Sequence, residues 1–583
     1  MSRRIATWPV IAVLATVALV ACGGDDPTST AASATAVPAT SPPASSTLTA
    51  ESEQNIFAKV APADKVLDDA NIYDTTIGGS ISLSKIDEES SVKRHTITID
   101  GKVLPYVARA GHLVAYRGTG TNKTPEAAIF YTSYTRDALP KENRPVTFLW
   151  NGGPGSASIW LHMGSWGPKR LKSDAPIMAD DTKQPDSFPF DDNAISLLDQ
   201  SDIVFVDPPG TGLSTAISPL NNGDMWGTDS DAKVVADFIT SYVNKYNRQS
   251  SPKYLYGESY GGIRTPIVAN LLEQAGTSGY APDPSGKPAQ VLAGLILNSP
   301  LVDYNTSCNM TRIFKNDYGV SCEGYIPSYA MTADYFKLST KRGTRTQEQY
   351  LVELRALART FQTTFRTYFS ATGEPNGKWK AYASSTDGQA LLSQIADRTG
   401  IPASTLTDAF NYDPWSYQND LIPGYLLGRY DARMKVPVTN SFAADSYIDV
   451  AFLNQLKTYF PDFVNYKYQS RYEPINSATI DNWTWWRTGS QSYYPQSITD
   501  IQAVLTANPN AKLLILHGYE DIATPGFQTE LDLEGVNLSD RIPVKWFEGG
   551  HMIYNTEASR APLKQAIDSY YRSAARVADG SLL

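Results

Sequence analysis

A short strand-like run, Lys253 to Tyr256, leads directly into Gly257-Glu258-Ser259-Tyr260-Gly261, and this junction limits the possible folds more than any other feature of the chain. Small residues around Ser259 let the backbone take a strained corner between a strand and a helix. The serine Oγ then stands clear, and the following N–H is free to face negative charge. The helix is expected from Gly262 to Glu273. The same five-residue pattern also marks ordinary turns, so the reading depends on partners. Serine chemistry needs an imidazole to take the hydroxyl proton and a carboxylate to hold that imidazole in one tautomer.

The C-terminal part offers both, in the chain order Ser, Asp, His. Ala511 to Leu516 reads as a buried strand, followed by His517-Gly518-Tyr519-Glu520-Asp521. Val544 to Phe547 reads as another, followed by Gly549-Gly550-His551-Met552. Asp521 is the expected carboxylate and His551 the expected base. Glu520 is the alternative to Asp521, but adjacent strand residues point to opposite faces and only one can reach the base. The chain has five histidines, at 95, 112, 162, 517 and 551. His517 lies inside the strand end and is expected to pack or hydrogen-bond locally. An oxyanion needs two donors, and Phe148 to Gly155 supplies a strand running into a glycine-rich loop. The N–H groups of Gly153 and Tyr260 would complete the pair, each contributing about 3–4 kcal/mol. A tight turn with no ligand is the plainer reading of that loop.

Taken in order, Asn-Gly-Gly-Pro-Gly at 151–155, the run from Asp207 to Ser214, Gly-Glu-Ser-Tyr-Gly-Gly at 257–262, the strand-end aspartate and Gly-Gly-His-Met at 549–552 resemble the serine carboxypeptidase family, from about Val146 onward. The resemblance implies an α/β-hydrolase fold with Ser259, Asp521 and His551 as triad. It also implies an oxyanion hole at Gly153 and Tyr260, with Asn151, Gly152 and Glu258 on a peptide's terminal carboxylate. Three positions depart from the family pattern. Ser165 stands where a second glutamate would share a proton with Glu258, Leu149 stands where a tryptophan is expected, with Trp150 displaced by one, and Tyr519 replaces an aspartate. Two close carboxylates coexist by sharing a proton. Without that partner a less acidic optimum is expected. Glu258 could also be a buried acid that only braces the corner.

Arg3 and Arg4 precede an apolar stretch, Trp8 to Val20, that is too short for a stable membrane span and ends in Leu19-Val20-Ala21-Cys22. Small residues before a cysteine resemble a bacterial lipobox. Residues 1–21 therefore read as a signal peptide, Cys22 as the lipidated residue, and 22–55 as a Ser/Thr/Ala/Pro-rich tether that cannot bury a core. A plain signal peptide with an incidental cysteine is the alternative. The expected location is a bacterial membrane surface, facing periplasm or exterior. In such an oxidising space Cys308 and Cys322 are expected to form a disulfide. No metal-ligand spacing and no nucleotide fingerprint occurs, so neither metal nor cofactor is expected. The formal charge of −10, or −12 after loss of Arg3 and Arg4, disfavours nucleic acid.

Early strands are expected at Thr96–Asp100, Leu113–Tyr116 and Ala128–Tyr134, antiparallel at one edge. Val146–Leu149, Asp202–Val206, Tyr254–Tyr256 and Gly294–Leu297 follow, with helices between them. This predicts a mostly parallel, doubly wound sheet, with hydrolase parts at 56–300 and 495–583 and a largely helical cap inserted at 301–494. No clear strand is expected in the cap. Leu351, Leu354, Leu357, Phe361, Phe365 and Tyr368 recur at helical spacing there and read as core. Trp483 and Trp485 could line a cleft or anchor the cap. The function expected is peptide hydrolysis from the C-terminus through Ser259. An esterase or acyltransferase is the alternative, and a surface binding protein on the same scaffold the more distant one.

Overall fold

The computed structural model describes residues 50–118, 120–176, 183–308, 319–440, 442–490, 492 and 494–573, all within one unit, 49–583. The expected signal peptide, Cys22 and the tether up to residue 49 lie outside the described residues.

Nine strands run in the order β9-β8-β7-β6-β4-β5-β3-β2-β1 across a mixed sheet of ten. β1 (Lys93–Ile99), β2 (Lys102–Arg117) and β3 (Thr124–Thr135) form an antiparallel edge. β4 (Val146–Trp150), β5 (Asp202–Val206), β6 (Lys253–Glu258), β7 (Gly294–Asn298), β8 (Lys512–Gly518) and β9 (Val544–Phe547) are mutually parallel. The tenth strand, Thr215–Ala216, pairs with β3. The central parallel strands carry long apolar runs because both faces of the sheet are covered, with charged residues confined to the strand ends, as at Asp202, Lys253, Glu258 and Lys512. Leu149, Phe205, Tyr256, Ile296 and Leu516 point into one core, while Phe148, Trp150, Val204, Leu255, Leu297 and Ile515 point into the other. Helices α2 (Thr228–Lys245), α3 (Gly261–Ala275) and α5 (Ile498–Ala507) cover the second face, and α6 (Glu557–Arg572) the first. This is an α/β-hydrolase fold.

The chain switches direction at β4: β5 lies on one side of it and β6 on the other. At such a switch point the loops leaving the two strands separate and open a crevice at their carboxyl ends. The loops here begin at Asn151 and Ser259.

Among the described residues, nothing between β7 and β8 joins the central sheet. The segment is mainly helical, and α4 (Gln347–Tyr368), capped by Thr346 and Gln349, buries Leu351, Leu354, Leu357, Phe361 and Phe365. Three short strands also occur there, against expectation. Tyr425–Leu427 pairs with Lys435–Pro437, and Tyr466–Tyr468 pairs with Leu67–Asp69. Three residues are too few for alternation to register. A second correction concerns the tether boundary, because α1 already spans Ala50–Val60. Glu53 is buried against Arg136, and Phe57 packs with Val92, Val107 and Ala138. Cys308 and Cys322 are bridged, their Cα atoms 5.3 Å apart.

Candidate active site

Ser259 occupies the corner between β6 and α3 with φ +64°, a left-handed conformation that a non-glycine residue holds only where its surroundings enforce it. Its N–H donates to Asn298 O at 3.0 Å, and its carbonyl accepts from Gly262 N at 2.8 Å. A Cβ on Gly257 would collide with Thr265 Oγ1, and one on Gly262 would lie 2.6 Å from Pro300 Cβ. At Gly261 a Cβ would find only ordinary contacts near 3.7 Å. The close approach of helix to sheet thus rests on Gly257 and Gly262. Trp150, displaced by one residue from its expected place, closes the underside by donating to Thr265 Oγ1 at 3.0 Å.

The loop after β4 packs directly on this corner. A Cβ on Gly152 would lie 2.5 Å from Tyr260 N. Gly153 follows at φ +104°, and its N–H and that of Tyr260 have no hydrogen-bond acceptor among the described residues. Asn151 is held on both sides: its Oδ1 accepts from Leu161 N at 3.1 Å, and its carbonyl from Arg264 at 2.8 Å. The ring of Tyr260 sits edge-on against Trp483 and Trp485, at 5.5 and 6.2 Å. These tryptophans therefore back the serine corner.

His551 Nδ1 hydrogen-bonds Asp521 Oδ2 at 2.8 Å. Asp521 is fully buried, and its oxygens accept from Ala523 N, Thr524 N and Thr524 Oγ1 at 2.8, 3.0 and 2.9 Å. Burial alone would push His551 down, but the adjacent Asp521 charge and hydrogen bond hold it above its ordinary value. Asn298 and Ser299 hold the His551 carbonyl, Tyr430 O accepts its N–H, and the Tyr430 ring stacks on the imidazole at 5.0 Å. A Cβ on Gly550 would strike Tyr430 O, which explains the glycine beside the histidine. His517 is turned away to Thr529 Oγ1 at 3.1 Å. Glu520 points to Gly549 N at 2.9 Å, away from the imidazole, and Tyr519 stacks on Trp546.

Glu258 is buried behind the serine. It accepts from Asn151 Nδ2 at 2.6 Å, Asn298 Nδ2 at 3.0 Å and Tyr554 OH at 3.2 Å. Burial pushes its carboxyl up to about 7. Ser165 is not among its partners, since Ser165 Oγ donates to Leu161 O at 2.5 Å. A cavity of about 130 Å³ joins the parts: Asn151, Gly152, Gly153, Glu258, Ser259 and His551 line it, together with Trp160, Tyr430, Asp445, Asp449, Ile475 and Met552. Among the described residues no hydrogen bond joins Ser259 to His551; the two meet across this cavity. Tyr554 and Asn298 had a sequence signal, the first three residues past His551 and the second at a strand end. Tyr430, Asp445 and Asp449 come from the cap and had none. No group of three or more His, Cys, Asp or Glu among the described residues could hold a metal ion.

Residues 104–408 match the sequence model of the serine carboxypeptidase family. The match contains the Asn151 and Ser259 loops and ends before Asp521 and His551. Serine carboxypeptidase-like 16 of Arabidopsis thaliana is 27% identical over 229 residues, 39% of this chain and 47% of that protein. A pheromone-processing carboxypeptidase KEX1 of Tuber melanosporum is 27% identical over 169 residues, 28% of this chain and 23% of that one. The chain thus spans half or less of the length of these curated relatives. Among solved structures, Kex1(delta)p of Saccharomyces cerevisiae, a prohormone-processing carboxypeptidase, is similar with a TM-score of 0.46 and 14% identity, over 79% of this chain and 91% of that one.

Proposed function

The chain belongs to the serine carboxypeptidase family, and on that premise we propose that it releases C-terminal residues from peptides through an acyl-enzyme on Ser259. The carrying observation is that His551, hydrogen-bonded to Asp521 at 2.8 Å, lines the same cavity as Ser259 and Glu258. Ser259 Oγ attacks the last peptide carbonyl and passes its proton to His551 Nε2. Asp521 keeps the other nitrogen protonated and stabilises the imidazolium. The N–H groups of Gly153 and Tyr260 receive the oxyanion. His551 then protonates the leaving amine, and water it activates hydrolyses the ester.

Asn151, Gly152 and Glu258 take the terminal carboxylate in this reading. A carboxyl pushed up to about 7 keeps a proton in mildly acidic solution and can donate it to another carboxylate. Paired peptides with free and amidated C-termini test the assignment: only the free peptide is shortened if a carboxylate is required. A second reading, ester hydrolysis or acyl transfer by the same triad, draws on the absence of Ser165 from the Glu258 shell. Equal turnover of the two peptides, or cleavage of esters alone, favours it.

Export and lipid anchoring at Cys22 complete the proposal. The bridge between Cys308 and Cys322 supports an oxidising compartment. A Cys22→Ser protein is expected to lose its lipid mass and to move from the membrane to the soluble fraction.

A further inference from the structure

A second cavity, of about 210 Å³, lies at the far end of the sheet from Ser259. The active-site loops leave the carboxyl ends of β4 and β6, whereas this cavity lies where the strands begin. Arg144 stands two residues before β4, Asp202 opens β5 and Arg248 precedes β6. In a chain with a formal charge of −10, its lining is conspicuously basic. Arg109, Arg136, Lys141, Arg144 and Arg248 face only two acids there, Asp137 and Asp202. The four arginines are buried, and Lys141 is exposed.

The pairing of these charges does not close. Asp137 accepts from Arg109 at 2.5 Å, and Glu53 of α1 accepts from Arg136 at 2.8 Å. Asp202 has to serve two guanidiniums, since its Oδ1 accepts from Arg144 Nε at 2.8 Å and its Oδ2 from Arg248. Lys141 has a neutral acceptor, the carbonyl of Tyr246 at 2.7 Å. Five cations thus meet three carboxylates, and two positive charges are left over. Partial burial and the charges of Arg248 and Arg109 hold Lys141 below the ordinary lysine value, although Asp137 and Asp283 pull the other way. Like charges crowded in a part-buried cavity repel, and an entering anion relieves that repulsion.

We propose that this cavity binds a phosphate group. A phosphate monoester carries about 1.5 to 2 negative charges near neutral pH and presents three acceptor oxygens, which suits a surplus of two charges. Arginine forks and a lysine point charge are the side chains that hold such a group. The phosphate could belong to a membrane lipid headgroup or to a free phosphate or soluble phosphoester. α1 favours the headgroup. Val60 at its end lines the cavity, Glu53 near its start is tied to Arg136, and the proposed tether enters this helix. The choice of source therefore rests on the lipid-anchoring reading given above; the phosphate site itself does not. A headgroup held here would turn the opposite end of the sheet, with Ser259, away from the membrane.

The test uses the Cys22→Ser protein, which keeps the rest of the chain but not the proposed lipid, and adds Lys141→Glu or Lys141→Gln to it. Lys380→Glu, at an exposed position of the cap, makes the same change in net charge and serves as the control. Titration calorimetry with inorganic phosphate at constant ionic strength is one arm. Co-sedimentation with phosphatidylcholine vesicles, with and without phosphatidylglycerol, is the other. A chain of this net charge has no general attraction for anionic vesicles, so capture points to a local site. Lys141→Glu is expected to weaken binding by at least about tenfold and Lys141→Gln by less, with Lys380→Glu unchanged. Capture by phosphatidylglycerol vesicles that depends on Lys141 assigns the lipid headgroup. Phosphate binding that depends on Lys141, without vesicle capture, supports the site and assigns a soluble source. Melting temperatures show whether the variants are folded, and Lys141→Gln carries the comparison if Lys141→Glu is not. No saturable binding in either arm, binding indifferent to Lys141, or equal weakening by Lys380→Glu overturns the proposal. Peptide and ester cleavage are read separately, so none of these outcomes bears on the carboxypeptidase reading.

Discussion

Glu258 accepts hydrogen bonds from the neutral donors of Asn151, Asn298 and Tyr554, and burial, with a smaller contribution from the Asp521 charge, pushes it up to about 7. His551 is held above its ordinary value by Asp521. The two requirements run in opposite directions. In the proposed mechanism the imidazole must be neutral to accept the Ser259 proton, so kcat/KM is expected to rise with pH through the raised His551 value. If Glu258 grips the terminal carboxylate as proposed, its carboxyl must be protonated, so kcat/KM declines as pH passes about 7. A pH profile for peptides with free C-termini is expected to peak near neutrality, and full activity only in strongly acidic buffer contradicts this. Glu258→Gln keeps a donor that cannot ionise. Its decline on the alkaline side should disappear while the acidic side stays, measured as kcat/KM from pH 5 to 9; an alkaline limb that persists assigns that limb elsewhere.

The corner between β6 and α3 is tuned at an unexpected glycine. A Cβ on Gly261, inside the pentapeptide, meets nothing closer than 3.7 Å, whereas one on Gly262 would lie 2.6 Å from Pro300 Cβ and 2.7 Å from Leu301 O. Gly261→Ala should therefore fold and retain most of its activity, with a stability change within about 1 kcal/mol. Gly262→Ala has to push α3 off the β7 loop, and a shift of about 1 Å at the nucleophile lowers kcat by roughly a hundredfold. Melting temperatures and kcat for the pair check this, and equal behaviour refutes it. The strands around this corner were readable because alternate residues of β4 to β8 feed two buried cores and leave long apolar runs. Asp521 and His551 were readable because each follows such a run. Of the partners of Glu258, Asn151 was singled out in the sequence, while Asn298 and Tyr554 were passed over although each lies beside a readable motif. Ser165 occupies the expected position along the chain yet bonds back to Leu161, and Tyr554 takes its place at the carboxylate. Tyr430 and Asp449 reach the cavity only through packing of the cap, so no local pattern announces them.

Over the whole molecule, buried acids set how stability depends on pH. Burial pushes Asp207, Glu258, Asp449 and Glu520 up to about 7 and Asp532 up to about 8. The folded state keeps protons that an unfolded chain would already have released near pH 4, so these groups lower stability as pH rises toward 7 and 8. Buried His112, His162 and His517 are pushed down to about 4, 3 and 3, and act in the opposite sense, but only below about 6.5, where an unfolded histidine titrates. Lys253 and Lys512, pushed down to about 7 and 8, oppose the fall from about pH 7 upward. The melting temperature is accordingly expected to fall between about pH 6.5 and 7.5. A rise across that interval, followed by differential scanning fluorimetry, contradicts the assignment of the raised acids.

Cleavage at the C-terminus by Ser259 is tested most directly by product mass spectrometry. The soluble protein, from about Gly24 onward, and its Ser259→Ala variant would be incubated with a mixed peptide library at several pH values. Stepwise loss of C-terminal residues by the wild type, and none by the variant, is the expected result. Intact peptides alongside Ser259-dependent ester cleavage would contradict carboxypeptidase activity while leaving the triad in place, and shortening that persists in Ser259→Ala would contradict the triad itself.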